Sequence, residues 1–104
     1  VGKPSRDKGA RRERELVQLC RAWGLKAERV PLSGAAKGSF AGDVDIYKIG
    51  RDAPFIGEVK ARAAGFKELY KWLDHDGADL LALKADREGW LFVLPEHVFR
   101  ELFT

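Results

Sequence analysis

An α/β fold with a mixed β-sheet flanked by helices, in the order α-β-β-β-α-β-β-α, follows from three observations on the 104-residue chain. Apolar residues recur at helical spacing in three separate stretches. Short alternating or continuous apolar runs lie between those stretches, bounded by Gly, Pro and Asp. The middle helical stretch is long enough to serve as a crossover between parallel strands, which makes the sheet mixed.

Residues 1–8 are polar and basic, with Gly2 and Pro4, and read as a flexible arm ahead of a single domain over 9–104. The first helix begins at Gly9. Leu16, Val17, Leu19, Cys20 and Trp23 form one apolar stripe, and Gly24 is its C-terminal stop. Lys26–Leu32 reads as a strand halted at Pro31, and Ser33–Gly42 as a Gly- and Ala-rich loop. Val44–Ile49 and Pro54–Ala61 alternate about a turn at Gly50–Asp52, which predicts a hairpin. Phe66, Leu69, Tyr70 and Leu73 give the crossover helix, ended by Gly77. Leu80–Leu83 and Trp90–Leu94 are short apolar strands. Pro95 can open a last helix at its first position, with Val98, Phe99, Leu102 and Phe103 on the inner face.

The composition, 45% hydrophobic and 34% charged, is that of a globular domain with one core. No apolar run reaches the roughly 18 residues of a membrane span, and residues 1–14 lack a signal-peptide core. The single cysteine, Cys20, falls in the apolar stripe and reads as a core thiol in a reducing, cytoplasmic compartment. The lack of methionine leads to the expectation that the initiator lies outside the numbered chain. Net charge is +3, unevenly placed: residues 1–30 carry nine Lys and Arg against four Asp and Glu. A basic end joined to an acid-rich body suits a polyanionic partner, and a solvated basic tail is the plainer reading. Lys8, Arg11, Arg12 and Arg14 crowd the expected first turns, where the helix macrodipole disfavours cations. That cost makes sense if the cluster meets phosphates.

The stretch "GDVDIYKIGRDAPFIGEVKAR" sets Asp43, Asp45, Glu58 and Lys60 on segments that otherwise read as strands. Residues two apart on a strand share a face, so Glu58 joins Lys60, and Asp43 joins Asp45 and Tyr47. Pairing through the Gly50–Asp52 turn brings Asp45 alongside Glu58. Two adjacent carboxylates repel unless a cation lies between them, and a hard divalent ion such as Mg²⁺ removes the conflict. A lysine beside them can stabilise negative charge on an attacked phosphate. The plainer alternative is a cross-strand ion pair on a solvated sheet face.

The spacing Asp-x12-Glu-x-Lys from Asp45 to Glu58 and Lys60 is the pattern of the PD-(D/E)xK nucleases. "KGARRERELVQLCRAWGLKAERVPLSG", "VDIY", "GEVKAR" and "GADLLALK", in this order, resemble the archaeal Holliday junction resolvase family and its phage relatives, over roughly Lys8 to Lys84. The resemblance implies a restriction-endonuclease-like fold and a metal-dependent endodeoxyribonuclease. It implies Asp45 and Glu58 as ligands of Mg²⁺ (or Mn²⁺), the Val59 carbonyl as a third, and Lys60 as the catalytic lysine. Glu13 would be a further metal-site carboxylate, direct or through water, and Ser33 would lie near the scissile phosphate. Asp43 is a competing first carboxylate, although Asp45, flanked by Val44 and Ile46, fits the family's aspartate better.

The expected partner is branched DNA, contacted by Lys8, Arg11, Arg12, Arg14, Arg29, Ser33, Lys37 and Arg62. Action on nicked, flap or linear DNA, or a catalytically idle DNA-binding module of the same fold, are the alternatives. A homodimer would supply two sites for paired cuts, with Phe66, Trp72, Phe99 and Phe103 as contact surface. The stretch after Lys60 is shorter than in typical resolvases, which trims the region those proteins use for dimer contacts. Two other motifs carry less. Asp74-His75-Asp76 lies at a helix end, where consecutive side chains diverge. "SGAAKGS" lacks the Gly-Lys-Ser order of a Walker A loop.

Overall fold

A computed structural model describes residues 3–30 and 42–104. The elements are α1 (Lys3–Ala22), β1 (Lys26–Arg29), β2 (Val44–Tyr47), β3 (Phe55–Gly57), α2 (Lys67–Asp76), β4 (Leu81–Leu83), β5 (Leu91–Val93) and α3 (Glu96–Phe103). The order is the α-β-β-β-α-β-β-α expected, as in restriction-endonuclease-like folds. The described strands pair in two antiparallel sheets, β1-β2-β3 and β4-β5. The parallel ladder expected across α2 is not among these pairings. Strands are also shorter than the apolar runs suggest, since β3 stops at Gly57 and not Ala61. The chain clusters into two compact units, residues 1–61 with Thr104, and 62–103.

In the first unit, α1 starts at Lys3 and not Gly9, so most of the expected arm is helical. Val17 and Cys20 are buried on its inner face, with Leu16, Leu19 and Trp23 half-buried. Gly24, at φ +90°, ends the helix. The Leu25 N–H donates to the Cys20 carbonyl at 3.0 Å and the Gly24 N–H to that of Arg21 at 3.0 Å, satisfying carbonyls left open by the last turn. Arg21 then donates through Nε to the Ala27 carbonyl at 2.9 Å, tying the helix end to β1. The core that results is Val17, Cys20, Leu25, Ala27, Val30, Val44 and Ile46.

Register follows alternation. β1 and β2 pair Lys26 with Tyr47, Ala27 with Ile46, Glu28 with Asp45 and Arg29 with Val44. β2 and β3 pair Val44 with Gly57, Asp45 with Ile56 and Ile46 with Phe55. One face therefore carries Ala27, Val44 and Ile46 toward the core. The other carries Lys26, Glu28, Asp45, Tyr47 and Ile56, and the Lys26 ammonium sits 4.5 Å from the Tyr47 ring centre.

In the second unit, Gly77 ends α2 in the left-handed region, and the Ala78 N–H donates to the Leu73 carbonyl at 3.1 Å. The β4–β5 connection places Arg87 in the left-handed region, at φ 66°. Pro95 precedes α3 and does not begin it: its carbonyl accepts the Val98 and Phe99 N–H groups, both at 3.1 Å. Phe99 and Phe103 stack at 4.1 Å between ring centres. Among the described residues no helix is long and apolar enough to cross a membrane.

Cys20 is wholly buried, and loss of solvent pushes its thiol pKa up. Because the folded-state value lies above the unfolded one, the protonated thiol stabilises the fold fully at low pH. That contribution begins to fall as pH passes the ordinary thiol value, about 8.5, and is lost as pH rises on through the raised folded-state value. The gap in melting temperature between the parental protein and Cys20→Ala should therefore narrow from pH 7 to pH 10. A gap unchanged across that range would show that the thiol does not titrate on unfolding.

Candidate active site

The motif residues occupy one unit, but the structure brings only some of them together. Glu58 Oε2 and Lys60 Nζ are 3.2 Å apart, with both side chains more than half exposed. Their shared face is the one expected from their spacing. Asp45 is half-buried on β2, opposite Ile56 and not Glu58. Alternation carried one step past β3 puts Glu58 diagonal to Asp45, a separation of about 7–8 Å between backbones. The strand pairing thus differs by two residues from the side-by-side arrangement expected, which keeps both carboxylates on one face.

Glu13 is elsewhere. It lies one helical turn before Val17, on the buried face of α1, and is 9% exposed. Arg29 donates from Nε to Glu13 Oε1 at 3.0 Å, and its Nη2 lies 3.0 Å from the same oxygen. A buried carboxylate needs such a partner, because an unpaired charge there is strongly destabilising. Arg29 shares the core-side face of the sheet with Val44, whereas Asp45 points to the other face. The spacing from Glu13 to Val17 was a sequence signal for this burial; the Arg29 partner has none, since it comes from tertiary packing. Arg29, expected to contact DNA, is in this structure committed to Glu13.

Among the described residues no three or more His, Cys, Asp or Glu side chains gather as a metal-binding group. Asp45 and Glu58 remain oxygen donors of the hard kind that Mg²⁺ takes, commonly as one or two carboxylates with waters.

Asp43 makes the contact that sequence reasoning missed. Its Oδ2 accepts the Val59 N–H at 2.9 Å. Its own N–H donates to the Gly57 carbonyl at 2.8 Å, and its carbonyl accepts the Val30 N–H at 2.9 Å. Gly57 is also the register partner of Val44, so Asp43 and Val44 oppose one residue in the manner of a β-bulge. Gly42 before it has φ +74°, and a Cβ there would sit 2.8 Å from the Gly57 carbonyl oxygen.

Of the expected DNA contacts, Arg11, Arg12 and Arg14 are exposed on α1, Lys8 is half-buried, and Arg62 is exposed. Arg12 pairs with Glu15 one turn on. Because α1 begins at Lys3, these residues lie beyond its first turn. The macrodipole argument for the cluster therefore lapses, since that effect fades within one turn. Ser33 and Lys37 lie outside the described residues.

No curated protein and no solved structure matched the chain. A family model, described as archaeal Holliday junction resolvase (Hjc), matches residues 4–102. That match spans every motif residue from Glu13 to Lys60, and the chain belongs to the archaeal Holliday junction resolvase family, a family of nucleases.

Proposed function

We propose that this protein is a Mg²⁺-dependent endodeoxyribonuclease, structure-selective for four-way DNA junctions, with Asp45, Glu58 and Lys60 at its centre. The observation that carries the reading is the exposed Glu58–Lys60 pair just past β3, with Asp45 on the neighbouring strand. An ion pair this exposed contributes little to stability, about 0–1 kcal/mol, so packing gives it slight reason to exist. It is also open to a DNA backbone.

The residues divide the work by charge. Lys60 presents a cation to the attacked phosphate, where negative charge grows during hydrolysis. Glu58 orients that ammonium through the 3.2 Å contact. Asp45, Glu58 and the Val59 carbonyl would hold Mg²⁺ (or Mn²⁺), whose contribution when bound is charge neutralisation at the phosphate and an activated nucleophile. Glu13, held by Arg29, enters the site only on the strength of its place in the family motif.

Cleavage of four-way junction, flap, nicked and linear DNA side by side, with Mg²⁺ or with chelator, tests the proposal. Preferential, chelator-sensitive cutting of the junction is the expected result. Cutting confined to the other substrates would move the protein to a different nuclease class, and binding without cutting would make it an idle DNA-binding module.

A homodimer is the proposed working form, because opposed cuts in a two-fold junction need two sites. Trp72 is 47% exposed on α2 and is the largest of the expected contact residues open to a partner. Phe66, Phe99 and Phe103 are half-buried. Sedimentation equilibrium with and without junction DNA distinguishes a dimer from a monomeric nickase.

Affinity should separate from chemistry. Replacing Arg11, Arg12 and Arg14 together with alanine should weaken binding to every DNA shape alike. The slope of log K against log salt should flatten by about 2–3, at roughly 0.9 per lost phosphate contact. An unchanged slope would route the DNA over another surface.

A further inference from the structure

We infer that Asp43 is a positioning residue, whose carboxylate locks the peptide between Glu58 and Val59 and thereby fixes the aim of Glu58 and Lys60. The inference rests on the nuclease reading above for what those two side chains do, but its structural half stands alone.

The need for such a lock arises from the end of β3. The ladder stops at Gly57, so Glu58, Val59 and Lys60 lack the strand pairing that would hold an extended chain straight. In an antiparallel pair every second residue turns its N–H toward the neighbouring strand. Past Gly57 that residue is Val59. Where a regular ladder would offer a backbone carbonyl, the bulge at Asp43 and Val44 disturbs the register, and Asp43 Oδ2 takes the Val59 N–H at 2.9 Å instead.

Asp43 is well suited to this. Its backbone is fixed on two sides, through Val30 at 2.9 Å and Gly57 at 2.8 Å, so its short side chain swings about an anchored Cα. The contact is partly buried, and a carboxylate accepting a backbone N–H makes a stronger bond than a neutral acceptor. Gly42 lets the chain approach this closely, since its φ of +74° and the 2.5 Å between a built Cβ and Ile56 Cγ2 leave no room for a side chain. Val59 sits between Glu58 and Lys60. Fixing its amide therefore fixes both flanking side chains, which meet at 3.2 Å. This assigns Asp43 a role distinct from the one that would make it the first carboxylate of the site.

Junction cleavage by Asp43→Ala and Asp43→Asn, together with hydrogen exchange of the Val59 amide, tests the inference. In Asp43→Ala the Val59 amide should exchange faster. kcat should fall about 10- to 100-fold, as for a small misplacement of reacting groups, while KM for DNA and calorimetric Mg²⁺ binding stay within about twofold. Asp43→Asn keeps a side-chain oxygen that can accept the same N–H. It should recover cleavage to within about threefold of the parental rate.

Three results would overturn the inference. Val59 exchange equal in the parental protein and Asp43→Ala would mean the contact does not form in solution. Parental cleavage by Asp43→Ala would mean the contact does not position the site. An Asp43→Asn variant as inactive as Asp43→Ala, with Mg²⁺ binding lost in both, would make Asp43 a metal ligand. If the parental protein cuts no DNA, the nuclease reading fails and the positioning role falls with it, whatever the exchange shows.

Discussion

Lys60→Ala should reduce junction cleavage by about a thousandfold while leaving DNA affinity within a few-fold. The magnitude follows from removing one preorganised charge aimed at a developing anion, about 10²–10³ in rate. The loss of the cation 3.2 Å from Glu58 adds to it. Affinity changes little because one phosphate contact among several supplies a small share of binding. Stability should also move little, since the side chain is 60% exposed. Single-turnover cleavage with saturating enzyme reads the chemical step, and gel shift in the absence of divalent cation reads binding. A variant that cuts at near the parental rate would return the Glu58–Lys60 pair to the status of a surface ion pair. Lys60→Arg provides a sharper comparison. It keeps the charge but replaces a compact ammonium with a planar fork, so cleavage should be only partly restored.

Much of this arrangement is legible from residue order, for identifiable reasons. The helices were readable because Leu16 to Trp23, Phe66 to Leu73 and Val98 to Phe103 each repeat at a period that only a helix satisfies. The two glycine stops held because Gly24 and Gly77 both adopt positive φ. Strand identity was readable from alternation, and strand length was not. Alternation persists through Glu58 and Lys60, but backbone pairing ends at Gly57, and nothing in side-chain type marks where a ladder loses its partner. The start of α1 was misplaced because Gly2 and Pro4 resemble an arm, whereas proline is tolerated in a first turn, where its missing N–H has no partner in any case. The two-residue difference in register, Asp45 opposite Ile56 and not Glu58, was not legible because alternation is satisfied equally by any even shift. Two contacts lay beyond sequence reasoning altogether. The Glu13–Arg29 pair spans 16 residues, and so does the bond from Val59 to Asp43. The first depends on how α1 packs against β1 and the second on how the chain before β2 meets the chain after β3, which period and composition leave open.

Asp45→Ala should abolish both Mg²⁺ binding and cleavage, the largest effect expected of any single substitution in this protein. Asp45 is half-buried, in register with exposed Glu28 on one side and exposed Ile56 on the other. Its face therefore already carries a second carboxylate across the β1 ladder, and Glu58 lies diagonally beyond Ile56. Like charges directly opposite on a sheet are destabilising, so a carboxylate here costs stability unless a cation joins it. Removing Asp45 should thus leave the folded state as stable as before or slightly more so in chelator. In Mg²⁺ it should forfeit the stabilisation that ion binding confers, which is about 2.7 kcal/mol at a hundredfold excess over Kd. The signature is a melting temperature that rises with Mg²⁺ in the parental protein and stays flat in the variant, alongside calorimetric titration showing no heat. Glu28→Ala is the control, because it removes the neighbouring charge without touching the motif, and it should keep both the Mg²⁺-dependent rise and the cleavage. Undiminished ion binding in Asp45→Ala would place the metal on other carboxylates. Loss in Glu28→Ala as well would shift the site across the sheet, onto the β1–β2 pair.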